Sequence, residues 1–249
     1  MRLYPAQYID ERIYVDGIYE QRFLDFLRRR IKSDGVMLDV GANIGNHALY
    51  LADIFDEVHC FEPSPKVADR LEENVGLNQA NNIQVHRLGL GSSTGTIPFS
   101  SAENLALGRF LHGESVGAEL LPVTTGDKWI ADAGLQHVDY IKIDVEGFED
   151  EVLLGLRETI PRFRPLVSFE YSGQSNDRAS FEARRTVLAG YEIYEPVLEP
   201  SSANSAGKIG FYLKHGLNPE ILSVAEPANR YYPYLLAVPS DRKDRFDLS

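Results

Sequence analysis

Apolar positions along this chain follow two periods in turn, one helical and one extended. From residue 19 to 31, Phe23, Leu24, Leu27 and Ile31 recur at helical spacing, with Arg28, Arg29 and Arg30 on a solvated face. Val36-Met37-Leu38-Asp39-Val40 follows as a short buried strand and runs into the glycine turn Gly41-Ala42-Asn43-Ile44-Gly45. Ala48, Leu49, Ala52 and Phe55 then resume the helical period. A second strand over 57–61 ends at Glu62-Pro63, and a helix opens at Pro65, whose missing N–H is not needed in a first turn. Residues 83–88 read as a third strand and 96–99 as a short edge strand, whereas 100–122 show little periodicity. Thr124-Thr125-Gly126-Asp127 reads as a helix start and 138–143 as a strand. Val152, Leu153, Leu156 and Ile160 mark a helix stopped by Pro161, and 166–169 a strand ending at Glu170-Tyr171. Beyond that point 181–188 reads as a helix, 191–197, 209–213 and 235–238 as strands, and 201–205 as a loop.

Strand and helix in alternation predict an α/β fold: a mostly parallel sheet with helices on both faces. No serine- or proline-rich linker interrupts the chain before residue 171, and no fixed-period repeat occurs, so residues 1–249 are expected to form a single domain. With 43% hydrophobic and 25% charged residues, the composition is that of an ordinary globular protein and excludes disorder as the main state. A net charge of -12 argues against nucleic acid as a partner, because a phosphate backbone is bound mainly by Lys and Arg. The single Cys60 excludes an intramolecular disulfide and multi-cysteine metal sites. No apolar run of about 18 residues and no signal-like start is present, so no membrane span and a cytoplasmic location are expected. A homodimer is the default expectation for assembly.

The chemistry concentrates at strand ends, where open parallel sheets bind ligands. Asp39 sits in the first strand, a Gly-x-x-x-Gly turn follows, and Glu62 ends the second strand, placed to accept hydrogen bonds from both hydroxyls of a ribose. A dinucleotide site wants Gly-x-Gly-x-x-Gly for its pyrophosphate, and Gly41-Ala42-Asn43-Ile44-Gly45-Asn46 lacks the middle and last glycines. Asp39 suits a cationic ligand better, which favours S-adenosylmethionine over NAD. An NAD-dependent oxidoreductase is thereby disfavoured, and a non-catalytic scaffold would have no need of this set.

These motifs resemble the FkbM family of S-adenosylmethionine-dependent methyltransferases, within the class I, seven-stranded group. The resemblance rests on Leu38-Asp39-Val40-Gly41-Ala42-Asn43-Ile44-Gly45, Phe61-Glu62-Pro63, Ile141-Lys142-Ile143-Asp144-Val145-Glu146-Gly147 and Gly17-Ile18-Tyr19-Glu20, and fades after Tyr171. It implies a Rossmann-like, seven-stranded sheet with the last strand antiparallel. Within the single domain, residues 1–35 would form a helical cap and 36–171 the cofactor-binding core. Residues 172–249 would hold the C-terminal strands and variable substrate-side insertions. Asp39, Gly41, Asn43 and Gly45 would hold the methionine moiety, and Glu62, Pro63 and Ser64 the ribose, with Asp144 also at the cofactor. The adenine would lie near Leu88 and Gly89, without the usual acidic contact. Tyr19 would close over the cofactor with Glu20.

A second acidic group gathers where Lys142, Asp144, Glu146 and Glu170 reach the strand tips. Three readings stand: a clamp for polyol hydroxyls, a divalent cation site made by Asp144, Glu146 and Glu170, or a structural pair of Lys142 with Asp144 while Glu146 caps the next helix. An attacking hydroxyl needs a base within hydrogen-bond reach. Glu170 and Asp144 are the candidates, Glu146 the third, and His112 of the irregular segment an outsider. Asn104, Arg109 and Tyr171 are candidate substrate contacts, and Tyr231, Tyr232 and Tyr234 a stacking platform or core. The expected reaction is O-methylation of a hydroxyl on a sugar or polyketide-type small molecule, with N-methylation of an amine as the alternative.

Overall fold

A computed structural model describes residues 1–4, 7–32, 35–100, 109–110, 118–171, 184–197, 220–224, 231–243 and 246. The chain opens with α1 (Tyr8–Asp16), α2 (Gln21–Arg30), β1 (Val36–Val40), α3 (Asn46–Leu51), β2 (Glu57–Phe61), α4 (Pro65–Leu77) and β3 (Ile83–His86). It continues through β4 (Gly89–Leu90), β5 (Gly95–Ser100), β6 (Arg109–Phe110), β7 (Glu119–Thr124), α5 (Gly126–Ala133) and β8 (Tyr140–Ile143). The last described elements are α6 (Glu149–Leu154), α7 (Thr159–Phe163), β9 (Leu166–Tyr171), β10 (Tyr191–Val197), β11 (Glu220–Ser223) and β12 (Tyr232–Pro239).

The expected parallel, helix-covered sheet is present, but among the described residues it has eight strands rather than seven and is mixed. Its order is β11-β10-β12-β9-β8-β1-β2-β3. The pairs from β3 to β9 are parallel, whereas β12 runs antiparallel to both β9 and β10. β11 is the added strand, antiparallel on the outer edge of β10. Only topology could place β12, the last strand in the chain, between two earlier ones.

Alternation within each strand divides the core into two layers. Val36, Leu38 and Val40 of β1 join one apolar cluster with Ile141 and Ile143 of β8, whereas Met37 and Tyr140 join the cluster on the opposite face. Every residue of β1 and β8 is buried, as strands with helices on both faces require. Truncating one such residue, Leu38→Ala for example, removes about 2–5 kcal/mol of stability.

Three local expectations are corrected. The described parts of 89–124 form a second, four-stranded sheet in the order β4-β7-β5-β6, where one edge strand and irregular chain were expected. β7 buries only Leu121 and Val123 and carries Pro122, which masks the strand in the sequence. The apolar spacing of 19–31 matches α2, but a separate α1 precedes it and ends at Gly17, whose φ of 87° suits glycine. Pro161 does not stop a helix: it occupies the first turn of α7, where no N–H is needed. The helix starts at Pro65 and Thr125 stand as expected, with the Thr125 hydroxyl accepting from the Lys128 N–H at 3.2 Å. The expected strand over 209–213 lies outside the described residues.

Candidate active site

The turn after β1 is shaped by close approach. Gly41 has φ +77°, and a Cβ there would lie 1.9 Å from the Asp144 carbonyl oxygen, so the chain end of β8 presses directly on this backbone. Gly45 has φ +90°, and a Cβ there would meet the Leu71 side chain at 2.6 Å. The N–H groups of Gly41 and Ala42 both donate to the Phe61 carbonyl, which ties the turn to the end of β2.

That tie brings Glu62 under the turn. One of its carboxylate oxygens accepts from the Asn43 N–H at 3.2 Å and the other from the Ser64 N–H at 2.9 Å. Burial pushes the carboxyl up to about 7, against the pull of these two donors. A carboxylate has about four acceptor positions, so two remain for a pair of ligand hydroxyls.

A cavity of about 260 Å³ opens between this turn and the tips of β8, β9 and β12. Of the residues expected at the cofactor, Tyr19, Gly41, Asn43, Glu62, Pro63, Gly89 and Asp144 line it. Gly45, Ser64 and Leu88 do not: Gly45 shapes the turn and Ser64 holds Glu62. Asp39 also stands behind the wall rather than on it. It is fully buried, with Lys142 Nζ 3.0 Å from one oxygen, and neither oxygen accepts a well-aligned hydrogen bond. Lys142 therefore offsets the charge that was expected to face the ligand.

On the other side, Lys142, Asp144, Glu146 and Glu170 converge as the sequence suggested. Lys142 Nζ donates to the Gly41 carbonyl at 2.9 Å and lies 3.4 Å from Asp144. Burial alone would lower its pKa, but Asp39 and Asp144 outweigh burial and raise it, so the ammonium is permanently charged. Burial, and then the charges of Asp144, Glu149 and Glu146, push Glu170 up to about 8. Tyr231 hydrogen-bonds its carboxylate and partly opposes that rise.

Glu146 does not cap α6. Phe148 is its N-cap, and the buried Glu149 instead orders the turn before the helix, its carboxylate accepting from the Gly147 N–H at 3.1 Å and the Val145 N–H at 3.4 Å. Asp144, Glu146 and Glu170 share the cavity, but among the described residues no three His, Cys, Asp or Glu side chains form a group suited to a metal ion. Tyr171 is buried in the core, packed edge-on against Tyr232 and beneath the Arg184 guanidinium. Asn104 and His112 lie outside the described residues, as does the side chain of Arg109.

The sequence analysis left the floor of the cavity largely unread. Asn46 and His47, at the start of α3, clasp the segment before α2. The Asn46 amide donates to the Tyr19 carbonyl at 2.8 Å and accepts from the Tyr19 N–H at 3.3 Å, and His47 Nε2 lies 2.8 Å from Glu20. Glu20 adopts the left-handed conformation at φ 58° and also accepts from Tyr234. Burial would raise the Glu20 carboxyl, but the donors His47 and Tyr234 win and its pKa is lowered. Phe23 stacks on Tyr234 at 3.7 Å between ring centroids, which fixes the tyrosine. His47, just inside the helix after the glycine turn, was open to a cofactor contact on sequence grounds, and a polar residue directly after the turn was the available signal for Asn46. No local signal marks Tyr8, Ile9, Val67 or Phe99, which complete the wall.

A Rossmann-like sheet with a glycine turn after β1, a ribose-competent acid after β2 and further carboxylates at the tips of β8 and β9 defines a class I methyltransferase. The profile of the methyltransferase FkbM domain matches residues 39–193, and the chain belongs to that family. A hexuronic acid methyltransferase, AglP of Haloferax volcanii, is 34% identical over 142 residues, covering 57% of this chain and 58% of that protein. The 2-O-methyltransferase NoeI of Sinorhizobium fredii is 28% identical over 162 residues, covering 57% of this chain and 65% of its own. In both cases the chain spans less than two thirds of the relative's length. The crystal structure of methyltransferase FkbM from Methylobacillus flagellatus superposes with a TM-score of 0.52 at 20% identity, over 81% of this chain and 42% of that one, and supports the fold.

Family membership makes S-adenosylmethionine, not NAD, the cofactor of this domain, and the residues present fit it. Glu62 retains acceptor capacity for a ribose diol, and Gly41 keeps the turn free of a side chain where β8 approaches. Glu20, Glu62 and Asp144 put negative charge on the wall, as a sulfonium ligand requires. Among the described residues no helix is long and apolar enough to cross a membrane.

Proposed function

We propose that the protein transfers a methyl group to a hydroxyl oxygen of a sugar or polyketide-type small molecule, with Glu170 as general base. The observation that carries this reading is Glu170 itself. It stands in the same cavity as Glu62, and its carboxyl is held near 8, where a base is effective close to neutral pH. The sugar class is supported by the relatives, whose names specify a hexuronic acid in one case and 2-O-methylation in the other.

When bound, S-adenosylmethionine supplies an electrophilic methyl carbon on a sulfonium. Glu62, with Asn43 and Ser64 behind it, would hold the ribose, and Gly41 and Asn43 the backbone beside it. Lys142 joins the two halves, because the same ammonium binds the Gly41 carbonyl and faces Asp39 and Asp144. Its role is to set the distance between the cofactor turn and the tip of β8. Methyl transfer depends on such alignment at near van der Waals distance. Glu170 takes the proton of the attacking hydroxyl. Tyr231 and Tyr234 line the cavity and add aromatic surface of the kind sugar rings pack against.

The test is turnover with S-adenosylmethionine and a set of hydroxyl acceptors, read as S-adenosylhomocysteine release, with the methylated atom located by NMR. Methylation at oxygen that fails in Glu170→Gln supports the reading. Methylation of an amine that is indifferent to Glu170 replaces it with the nitrogen alternative.

A further inference from the structure

Besides its sulfonium, S-adenosylmethionine carries an α-ammonium, and this step rests on that cofactor, which the family assigns to the domain. Asp39, the acid expected at the methionine end, is already engaged: it is fully buried behind the wall, 3.0 Å from Lys142. Glu62 is fixed beneath the turn by two backbone donors and is reserved for the ribose.

Glu20 differs from both. It lines the cavity together with Gly41, Lys142 and Tyr234, and its side chain is only 21% exposed, so solvent screens its charge little. The residue is held in place from several directions. Asn46 clasps the Tyr19 backbone through two hydrogen bonds, and His47 Nε2 lies 2.8 Å from a Glu20 oxygen. The Tyr19 and Tyr234 hydroxyls also hydrogen-bond the carboxylate. The Glu20 backbone is left-handed, with φ 58°, at the N-cap of α2. Such strain persists only where the surroundings impose it, and it gathers at ligand clamps. His47 and Tyr234 outweigh burial and keep the carboxyl ionised. A carboxylate has about four acceptor positions, so three donors leave one for a ligand N–H. Asp39, Asp144 and Glu20 all act on Lys142, three acids about one ammonium, and a cationic ligand group is attracted to that surplus.

We infer that Glu20 anchors the α-ammonium of the cofactor and makes a free amine a condition of tight binding. A nucleoside thioether without the amine then keeps its contact with Glu62 and loses the one with Glu20.

The experiment is calorimetry with thioethers, which are uncharged at sulfur and so isolate the ammonium. The ligands are S-adenosylhomocysteine, an analogue with a carboxypropyl group in place of the amino-acid chain, an aminopropyl analogue that keeps only the amine, and methylthioadenosine. Wild type should bind S-adenosylhomocysteine roughly 10–100-fold more tightly than the carboxypropyl analogue, the worth of one hydrogen bond to a charged group. In Glu20→Gln that preference should collapse. S-adenosylhomocysteine and the aminopropyl analogue should weaken, whereas the carboxypropyl analogue and methylthioadenosine keep their Kd, which also reports a folded site. Glu20→Asp, which retains the charge, should retain part of the preference. Equal weakening of all four ligands by Glu20→Gln overturns the inference. So does an ammonium preference that survives in Glu20→Gln and disappears instead in Asp144→Asn. Wild type that binds the carboxypropyl analogue as well as S-adenosylhomocysteine overturns it too, and leaves the cofactor assignment intact. Binding of none of the four thioethers overturns the fit of this cavity to the cofactor, and the anchor falls with it.

Discussion

Glu62 and Glu170 are both carboxylates at strand ends on one cavity, yet the molecule treats them differently. Glu62 is buried with a backbone N–H on each oxygen, both donated by residues within nineteen positions of it. Among the described residues Glu170 has no comparable pair of backbone donors. It is raised to about 8 by burial and by Asp144, Glu149 and Glu146, and its hydrogen bond comes from Tyr231. Two backbone donors hold a carboxylate for binding. Like charges around a partly wet carboxyl instead increase its affinity for a proton, which suits a base. The end proposed for the cofactor is thus built from backbone, and the end proposed for the acceptor from side chains.

The largest expected effect falls on the acceptor end. Glu170→Gln should lower kcat/KM by roughly 10²–10⁴-fold while S-adenosylhomocysteine affinity, measured by calorimetry, stays within a few-fold. In the wild type kcat/KM should rise with pH through about 8, and the variant should lose that rise. Stability has the opposite sign. The folded pKa exceeds the unfolded one, so between about 4.3 and 8 the folded state holds the extra proton. Stability then falls as pH rises through that window. Thermal unfolding at pH 9 should find Glu170→Gln more stable than wild type. A variant with unchanged pH profile and stability would erase the contrast with Glu62.

Next comes the backbone of the cofactor end. Gly41→Ala places a Cβ 1.9 Å from the Asp144 carbonyl at a φ of +77°. It should cost about 3 kcal/mol or more, from overpacking and left-handed strain together. Denaturant titration measures that loss, and calorimetry should find S-adenosylhomocysteine binding abolished. Glu62→Ala should weaken that binding about 100-fold, the worth of one or two hydrogen bonds to a charged group, with the fold retained by circular dichroism. The smallest effect is expected from Asn46→Ala, which frees the Tyr19 backbone. About 1 kcal/mol of stability should be lost, with a few-fold rise in KM for S-adenosylmethionine. If Asn46→Ala abolished activity altogether, the segment before α2 would belong to the catalytic apparatus and not to its support.

Most of the cofactor end was determined by sequence alone. Asp39 through Ser64 is one strand, turn, helix and strand, so the glycines, Glu62 and the opening Pro65 of α4 occur in a fixed local order. Adjacent parallel strands can bring them together in essentially one way. The role of Asp39 was read less well, because its buried partner Lys142 lies on β8 and only pairing of Asp39 with Lys142 across β1 and β8 brings the two together. The acceptor end depended on tertiary structure. Residues 19–20, 142–146, 170 and 231–234 are far apart in the chain and carry no shared spacing. They meet because β12 enters the sheet antiparallel beside β9, in a register that sets Tyr232 opposite Tyr171, while Tyr231, just before that strand, hydrogen-bonds Glu170. Hydrophobic alternation says that 232–239 is a strand, but strand order is settled by how the whole sheet buries its two faces. For that reason the glycine turn and the place of Glu62 beneath it were legible residue by residue, whereas the tyrosines around Glu170 had to await the fold.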